Sequence, residues 1–168
     1  MEELIKKAQN GDKDAFTSII LDMNDELYKI ARTRLNDEND IFDAIQETMI
    51  SSYKSIKKLK DTKCFKSWLI KILINKCNDI YKKKKIISIE QNNLQEYIQD
   101  KTELDNNLNF IAIINCLNYN ERIAILLYYQ NQFTTKEIAN ILHTNENTIK
   151  TRIARAKNKI KNNYKMEV

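Results

Sequence analysis

The stretch FTTKEIANILHTNENTIKTRIARAKNKIK, residues 133–161, decides how the rest of the chain is read. Thr134, followed three residues later by Glu137, is a capping box, in which each side chain satisfies an orphan backbone N–H at a helix start. A first helix therefore begins near Thr135. Ile138, Ala139, Ile141 and Leu142 give it one apolar face, with Ala139 small where a second helix must cross closely. His143-Thr144 leaves room only for a tight turn, and His143 stands where many such turns place Gly. A positive φ there is harder for His than for Gly, although His is among the residues that tolerate it. Asn145 can cap the second helix, whose Ile149, Ile153, Ala156 and Ile160 recur at i, i+4, i+7 and i+11 on one inward stripe.

At about 100° per residue the opposite face collects Asn147, Thr151, Arg155 and Asn158, flanked by Thr148, Lys150 and Lys161. These are donors and cations, with Glu146 at the helix start as the one carboxylate. A surface helix with a solvated basic face has the same composition. The capped first helix, short turn and basic second helix together favour DNA binding. In that geometry the N-terminal half of the second helix enters the major groove, where Arg and Lys meet guanine acceptors and Asn meets adenine. Arg155 and Lys150 lead the candidates, with Asn147, Thr148 and Thr151 beside them. Arg152 sits nearer the buried stripe, placed for phosphate or for an acidic partner on the first helix.

The chain of 168 residues has room for one domain or two small ones, and its 42% hydrophobic content suits a folded protein. The absence of Pro and the single Gly leave few strand or turn punctuators, so the expected class is all-α. The 28 basic and 23 acidic residues give a formal charge of +5, which is compatible with a nucleic-acid partner without requiring one. Cys64, Cys77 and Cys116 form no C-x-x-C pair, and with His143 the only histidine neither a metal cluster nor a cofactor is expected. Small, partly buried thiols in a reducing compartment are the expectation. No signal-peptide core and no run of about 18 apolar residues is present, which points to a soluble cytoplasmic protein without membrane insertion.

Residues 4–35 read as helix broken at Asn10-Gly11-Asp12, with Ala15, Phe16, Ile19, Ile20, Met23, Leu27, Ile30, Ala31 and Leu35 at helical spacing. After a polar turn at 36–39, a helix from Asp40 to Leu59 carries Ile41, Ala44, Ile45, Met49, Ser52 and Ile56 inward. Its outer side holds Asp43, Gln46, Glu47 and Ile50: either a solvated face with one stray apolar residue, or an acidic docking face for a basic partner. Lys57 to Cys64 is a basic connection. In FKSWLIKILINKCNDIYKKKK, residues 65–85, a stripe of Phe65, Trp68, Leu69, Ile72, Leu73 and Ile80, widened by Ile70 and Ile74, requires a largely buried helix. Asn75 and Asp79 are its polar exceptions, and Lys82 to Lys85 close it. Residues 86–105 lose the pattern and read as a flexible polar linker. From Asn106 a second helical unit begins, with a turn at 118–120 and a helix from Ile123 toward Tyr129. The expected organisation is two small helical domains, 1–85 and 106–168, the second containing the helix-turn-helix.

The order of these parts resembles the extracytoplasmic-function (ECF) group of bacterial sigma factors over nearly the whole chain. Four stretches carry the likeness: DAF at 14–16, DIFDAIQETMISSY at 40–53, FKSWLIKILINKCNDIYKKKK at 65–85, and KEIANILHTNENTIKTRIARAKNKI at 136–160. The departures are Asn118 for a common Pro, and His143 and Asn147 for Gly. The resemblance implies a transcription initiation factor, not an enzyme, that binds the clamp and flap regions of RNA polymerase core. Asp40, Asp43, Gln46, Glu47 and Ile50 would dock on the clamp. Lys57, Lys58, Lys60, Lys63, Asn75, Lys82 and Lys83 would handle the melted minus-10 element, where extruding a base costs a few kcal/mol and a fitted pocket in a basic groove has a physical task. Asn147, Thr148, Lys150, Thr151, Arg152 and Arg155 would read minus-35 promoter DNA. The family also implies an anti-sigma factor, often membrane-anchored. A conventional helix-turn-helix regulator would use the same reading helix, but needs neither the acidic face nor the Trp68-centred bundle.

Overall fold

The computed structural model describes residues 1–90, 114 and 116–165. All regular elements among them are helical, as expected. The chain divides into two units, Met1–Leu94 and Gln95–Val168.

In the first unit, α1 (Glu2–Gln9) and α2 (Lys13–Arg32) are separated by the turn at Gly11, whose φ of +98° is a conformation glycine adopts without strain. Asp12 then caps α2 by accepting from the Ala15 N–H at 3.0 Å. Asp37 caps α3 (Glu38–Ser55) in the same way. The chain tightens into 3-10 turns at Ile56–Lys58 and Thr62–Cys64 before α4 (Phe65–Glu90). Ile19, Leu27, Ile30, Ile41, Leu69, Ile70 and Leu73 are fully buried where α2, α3 and α4 meet. Each such side chain contributes about 1.5–3 kcal/mol, so Leu69→Ala would remove a large part of a small domain's margin.

The buried ridge of α4 is turned from the expected stripe. Ile70, Ile74 and Cys77 lie in the core, whereas Trp68, Ile72 and Ile80 are half-buried. The physical reason is that α4 packs against both α2 and α3, so the residues that widen the stripe are buried as fully as its centre. The helix also runs on to Glu90, past the point where apolar periodicity stops, as a lysine-rich helix can when its first half is anchored. The linker expectation for 91–105, and the pattern from Asn106 through 113, lie outside the described residues.

In the second unit, α5 (Tyr119–Tyr129) begins earlier than the apolar pattern suggested, because Asn118 caps it. Asn118 accepts from the Glu121 N–H at 3.0 Å, and the Glu121 carboxylate accepts from the Asn118 N–H at 3.2 Å. α6 (Thr135–Ile141) and α7 (Glu146–Lys165) follow. Ile123, Leu127, Ile138, Ile149 and Ala156 close the core between these three helices.

Cysteine placement departs from expectation in part. Cys77 is buried, which pushes its thiol pKa up to about 12, while Cys64 and Cys116 are exposed rather than partly buried. No metal-binding cluster occurs among the described residues.

Candidate nucleic-acid interface

The helix-turn-helix forms as read. Thr134 and Glu137 make the capping box: the Glu137 carboxylate accepts from the Thr134 N–H at 2.8 Å, and Thr134 Oγ1 accepts from the Glu137 N–H. The turn carries His143 at φ +50°, so the backbone there is left-handed and His pays the small strain that Gly would not. Asn145 Oδ1 accepts from the Thr148 N–H at 2.7 Å, which starts α7 at Glu146.

On α7 the two faces separate cleanly. Ile149, Ile153 and Ala156 are buried, while Asn147, Lys150, Thr151, Arg155 and Asn158 are exposed and Thr148 and Arg152 half-buried. Several of the exposed groups are already engaged. The Thr148 hydroxyl donates to Asn145 and the Thr151 hydroxyl to the Asn147 carbonyl. Lys150 Nζ lies 2.9 Å from Glu146 Oε1, which also accepts from the Thr135 hydroxyl at 2.8 Å. The hydrogen bond from Lys150, with that from Thr135 beside it, holds the Glu146 carboxyl below its ordinary pKa. This group anchors the two helices of the motif to each other, a role that sequence reading missed although the i, i+4 spacing of Glu146 and Lys150 carries the signal.

In the first unit, Asp43, Gln46, Glu47 and Ile50 share the exposed side of α3. Glu47 bridges to Lys76 of α4 at 3.1 Å, a surface pair. Asp40 does not belong with them as a free carboxylate. It is largely covered, with its oxygen 2.5 Å from Lys84 Nζ, and thereby joins the start of α3 to α4. Projection along one helix could not show this, since the partner comes from another. Two residues that sequence reading missed flank Ile50: Phe42 and Tyr53 are exposed on the same helix, and positions 42, 46, 50 and 53 fall on one line. The outer face of α3 is thus an apolar strip edged with carboxylates.

The basic connection is held in shape by α1. Gln9 Nε2 donates to the Ile56 and Leu59 carbonyls at 3.1 and 2.7 Å, and Asp61 accepts from the Lys63 N–H at 2.9 Å. Lys57, Lys58, Lys60 and Lys63 are exposed around it. On α4, Asn75, Lys82 and Lys83 are exposed, while Lys84 turns to Asp40 and Asp37. A cleft of about 470 Å³ at the second 3-10 turn is lined by Glu2, Asp22 and Glu26 beside Lys63 and Lys66, and three carboxylates make it a poor phosphate site.

Comparison with known proteins agrees with this arrangement. The family model for sigma-70 region 2 matches residues 20–86, and that for sigma-70 region 4 matches residues 107–160. RNA polymerase sigma factor SigV of Bacillus subtilis is 27% identical over 153 residues, covering 90% of this chain and 92% of the relative. The ECF sigma factor SigW of the same organism is 25% identical, covering 94% of this chain and 92% of its own. Among solved structures, CnrH in complex with the cytosolic domain of CnrY has a TM-score of 0.71 at 21% identity, covering 99% of this chain and 98% of that one. RpoE in complex with the anti-sigma factor NepR from Bartonella quintana has a TM-score of 0.72 at 21% identity, covering 91% and 98%. The chain belongs to the sigma-70 family of RNA polymerase sigma factors, in its ECF group.

Proposed function

We infer that this chain binds RNA polymerase core and directs promoter-specific initiation. The observation that carries the reading is the order of the two sigma-70 regions along one chain, with a capped helix-turn-helix in the second. A conventional duplex-binding regulator is not favoured, because it has no use for region 2 or for the acidic face of α3.

Within this reading the first unit carries core docking and minus-10 recognition, and the second reads the minus-35 element. Asp43, Gln46, Glu47 and Ile50 supply the docking face, with Phe42 and Tyr53 extending its apolar strip. A buried apolar centre ringed by charge is the pattern that concentrates binding energy, while the carboxylates steer a basic partner. Lys57, Lys58, Lys60 and Lys63, with Asn75, Lys82 and Lys83, meet the melted strand. Thr148, Lys150, Thr151, Arg155 and Asn147 meet duplex bases, and Arg152 a phosphate. The chain itself performs no catalysis; it redirects an enzyme.

No described helix is long and apolar enough to cross a membrane. The protein acts in the cytoplasm, where polymerase and promoter are, and an anti-sigma factor binds and restrains it; RpoE was solved in complex with such a partner, the anti-sigma factor NepR.

Run-off transcription with purified core polymerase and genomic promoter fragments tests the reading. A sigma factor confers initiation that core alone lacks. Tight, specific binding to duplex DNA at physiological salt, with no initiation, would instead identify a regulator.

A further inference from the structure

We propose that Glu146 and Lys150 act as one unit that reads a single G·C base pair in the upstream promoter element, so that Glu146 is a specificity-determining residue. The inference rests on the reading of α7 as the helix that enters the major groove.

The argument begins from the ion pair. Lys150 Nζ and Glu146 Oε1 are 2.9 Å apart, one turn of helix from each other, with side chains 58% and 41% exposed. They therefore lie on the surface of the N-terminal turns of α7, the part that penetrates a groove furthest. The carboxylate is held from behind: the Thr135 hydroxyl, at the first residue of α6, donates to Oε1 at 2.8 Å. Both bonds converge on Oε1, which leaves Oε2 to accept from a base. The ammonium has three donors, of which Glu146 takes one.

A lone carboxylate on a DNA-facing surface is repelled by phosphates, and a lone lysine serves any phosphate it can reach. Paired, the two sum to no charge, so they add little sequence-independent affinity. What they present is a donor and an acceptor side by side at hydrogen-bond spacing. A G·C pair presents the complement in the major groove: the guanine O6 and N7 acceptors beside the cytosine N4 donor, with O6 and N4 themselves joined by an N–H···O bond of about 2.9 Å. Lys150 would donate to guanine while Glu146 accepts from cytosine N4. An A·T pair reverses the donor and acceptor order, and a T·A pair, which keeps it, sets a methyl group where guanine offers Lys150 its N7 acceptor. The unit thus favours one orientation of one base pair.

The test uses the full chain with core polymerase on promoter libraries in which each upstream position carries all four base pairs, read by run-off transcription. The wild type should favour G·C at one position by roughly tenfold or more. Glu146→Ala and Lys150→Ala should both flatten that same position and keep the order of preference at the others, even where loss of the Thr135–Glu146 bond lowers all sequences together. The double variant Glu146→Lys with Lys150→Glu keeps an i, i+4 pair but exchanges donor and acceptor, so the preference should invert to C·G. Circular dichroism checks that each variant keeps its helix content. The proposal is overturned if Glu146→Ala strengthens all sequences equally, which would make Glu146 only a repellent of the backbone. It is overturned equally if the two alanine variants act at different positions, or if the exchanged pair keeps the wild-type preference. If the wild type initiates without any upstream preference, α7 is not the reader and the proposal falls with that assignment. Failure to initiate with core at all would sink the sigma-factor reading alone, and the same libraries in a polymerase-free binding selection at low salt would then decide the base-pair assignment.

Discussion

Lys159 Nζ lies 2.8 Å from Glu121 Oε2, and this contact ties the first turn of α5 to α7. Glu121 is almost wholly buried and serves two partners, since the same carboxylate closes the α5 capping box on the Asn118 N–H. Removing it takes the partner from the Asn118 backbone donor, whereas Lys159, half exposed, rehydrates. Glu121→Ala is expected to destabilise the second unit by about 2 kcal/mol, and Glu121→Gln by less, because Gln also closes a capping box. Thermal denaturation followed by circular dichroism checks the order. Equal melting of wild type and Glu121→Ala would show that the pair holds nothing together.

Asp37 gives the first unit a pH dependence of defined sign. Backbone N–H groups of Asn39 and Asp40 donate to its carboxylate, with Lys84 adding attraction, and these hold its pKa below the ordinary value of 3.8. A depressed carboxylate stabilises the fold above its unfolded pKa, and that contribution is lost as pH falls through the lower folded value. Asn caps a helix as well as Asp does but does not titrate. Asp37→Asn should therefore behave like the wild type at acid pH and be the less stable of the two near neutrality. Urea unfolding at a series of pH values reads this directly; a constant gap between the two proteins down to the lowest pH would contradict it.

Much of this molecule was legible in residue order, and the boundary is instructive. Capping residues act on their own helix, so Thr134, Glu137 and Asn145 could be placed from spacing alone, and both faces of α7 followed from its period. What could not be read were pairings between elements. Asp40 projects outward on α3 but meets Lys84 from a helix more than a turn of chain away, and Trp68 leads the α4 stripe yet gives the core to Ile70 and Ile74. The Glu146 anchor was visible as an i, i+4 pair, but its third member, Thr135, belongs to the preceding helix. Phe42 and Tyr53 were missed for another reason: apolar residues are ordinarily assigned inward, although the inward set of Ile41, Ala44 and Ile45 already leaves them on the other side of the helix.

The docking face can be tested by reversing its charge. Asp43 and Glu47 are exposed, and Glu47 meets only the half-buried Lys76 among described ion pairs, a surface contact worth about 0–1 kcal/mol. Asp43→Lys with Glu47→Lys should leave the helices intact while setting two cations against a basic partner surface, where like charges cost several kcal/mol. Pull-down with core polymerase should fail for this double variant, and binding of duplex DNA should not weaken. Normal association with core would show that the partner surface lies elsewhere.

The reading helix makes the opposite prediction. Lys150 and Arg155 are exposed on α7, while the groups that set its position, Ile149, Ile153, Ala156 and the Asn145 cap, lie on other faces. Lys150→Ala with Arg155→Ala therefore removes DNA contacts and the Lys150–Glu146 pair within α7, but leaves the buried packing and the Thr135–Glu146 bond between the helices in place. Each base contact is worth about 1–3 kcal/mol, and about 1.4 kcal/mol corresponds to one decade in occupancy. Transcription from a promoter with an intact upstream element should fall roughly tenfold or more, while association with core, a property assigned to the other unit, should not change. The two double variants form a cross: one loses core and keeps DNA, the other keeps core and loses the upstream element. Salt dependence divides the second effect further, because loss of a phosphate contact lowers the slope of binding against salt by about one per charge, whereas loss of a base contact lowers discrimination instead. Full-rate transcription by the Lys150 and Arg155 variant from every promoter tested would remove α7 from the role of reader.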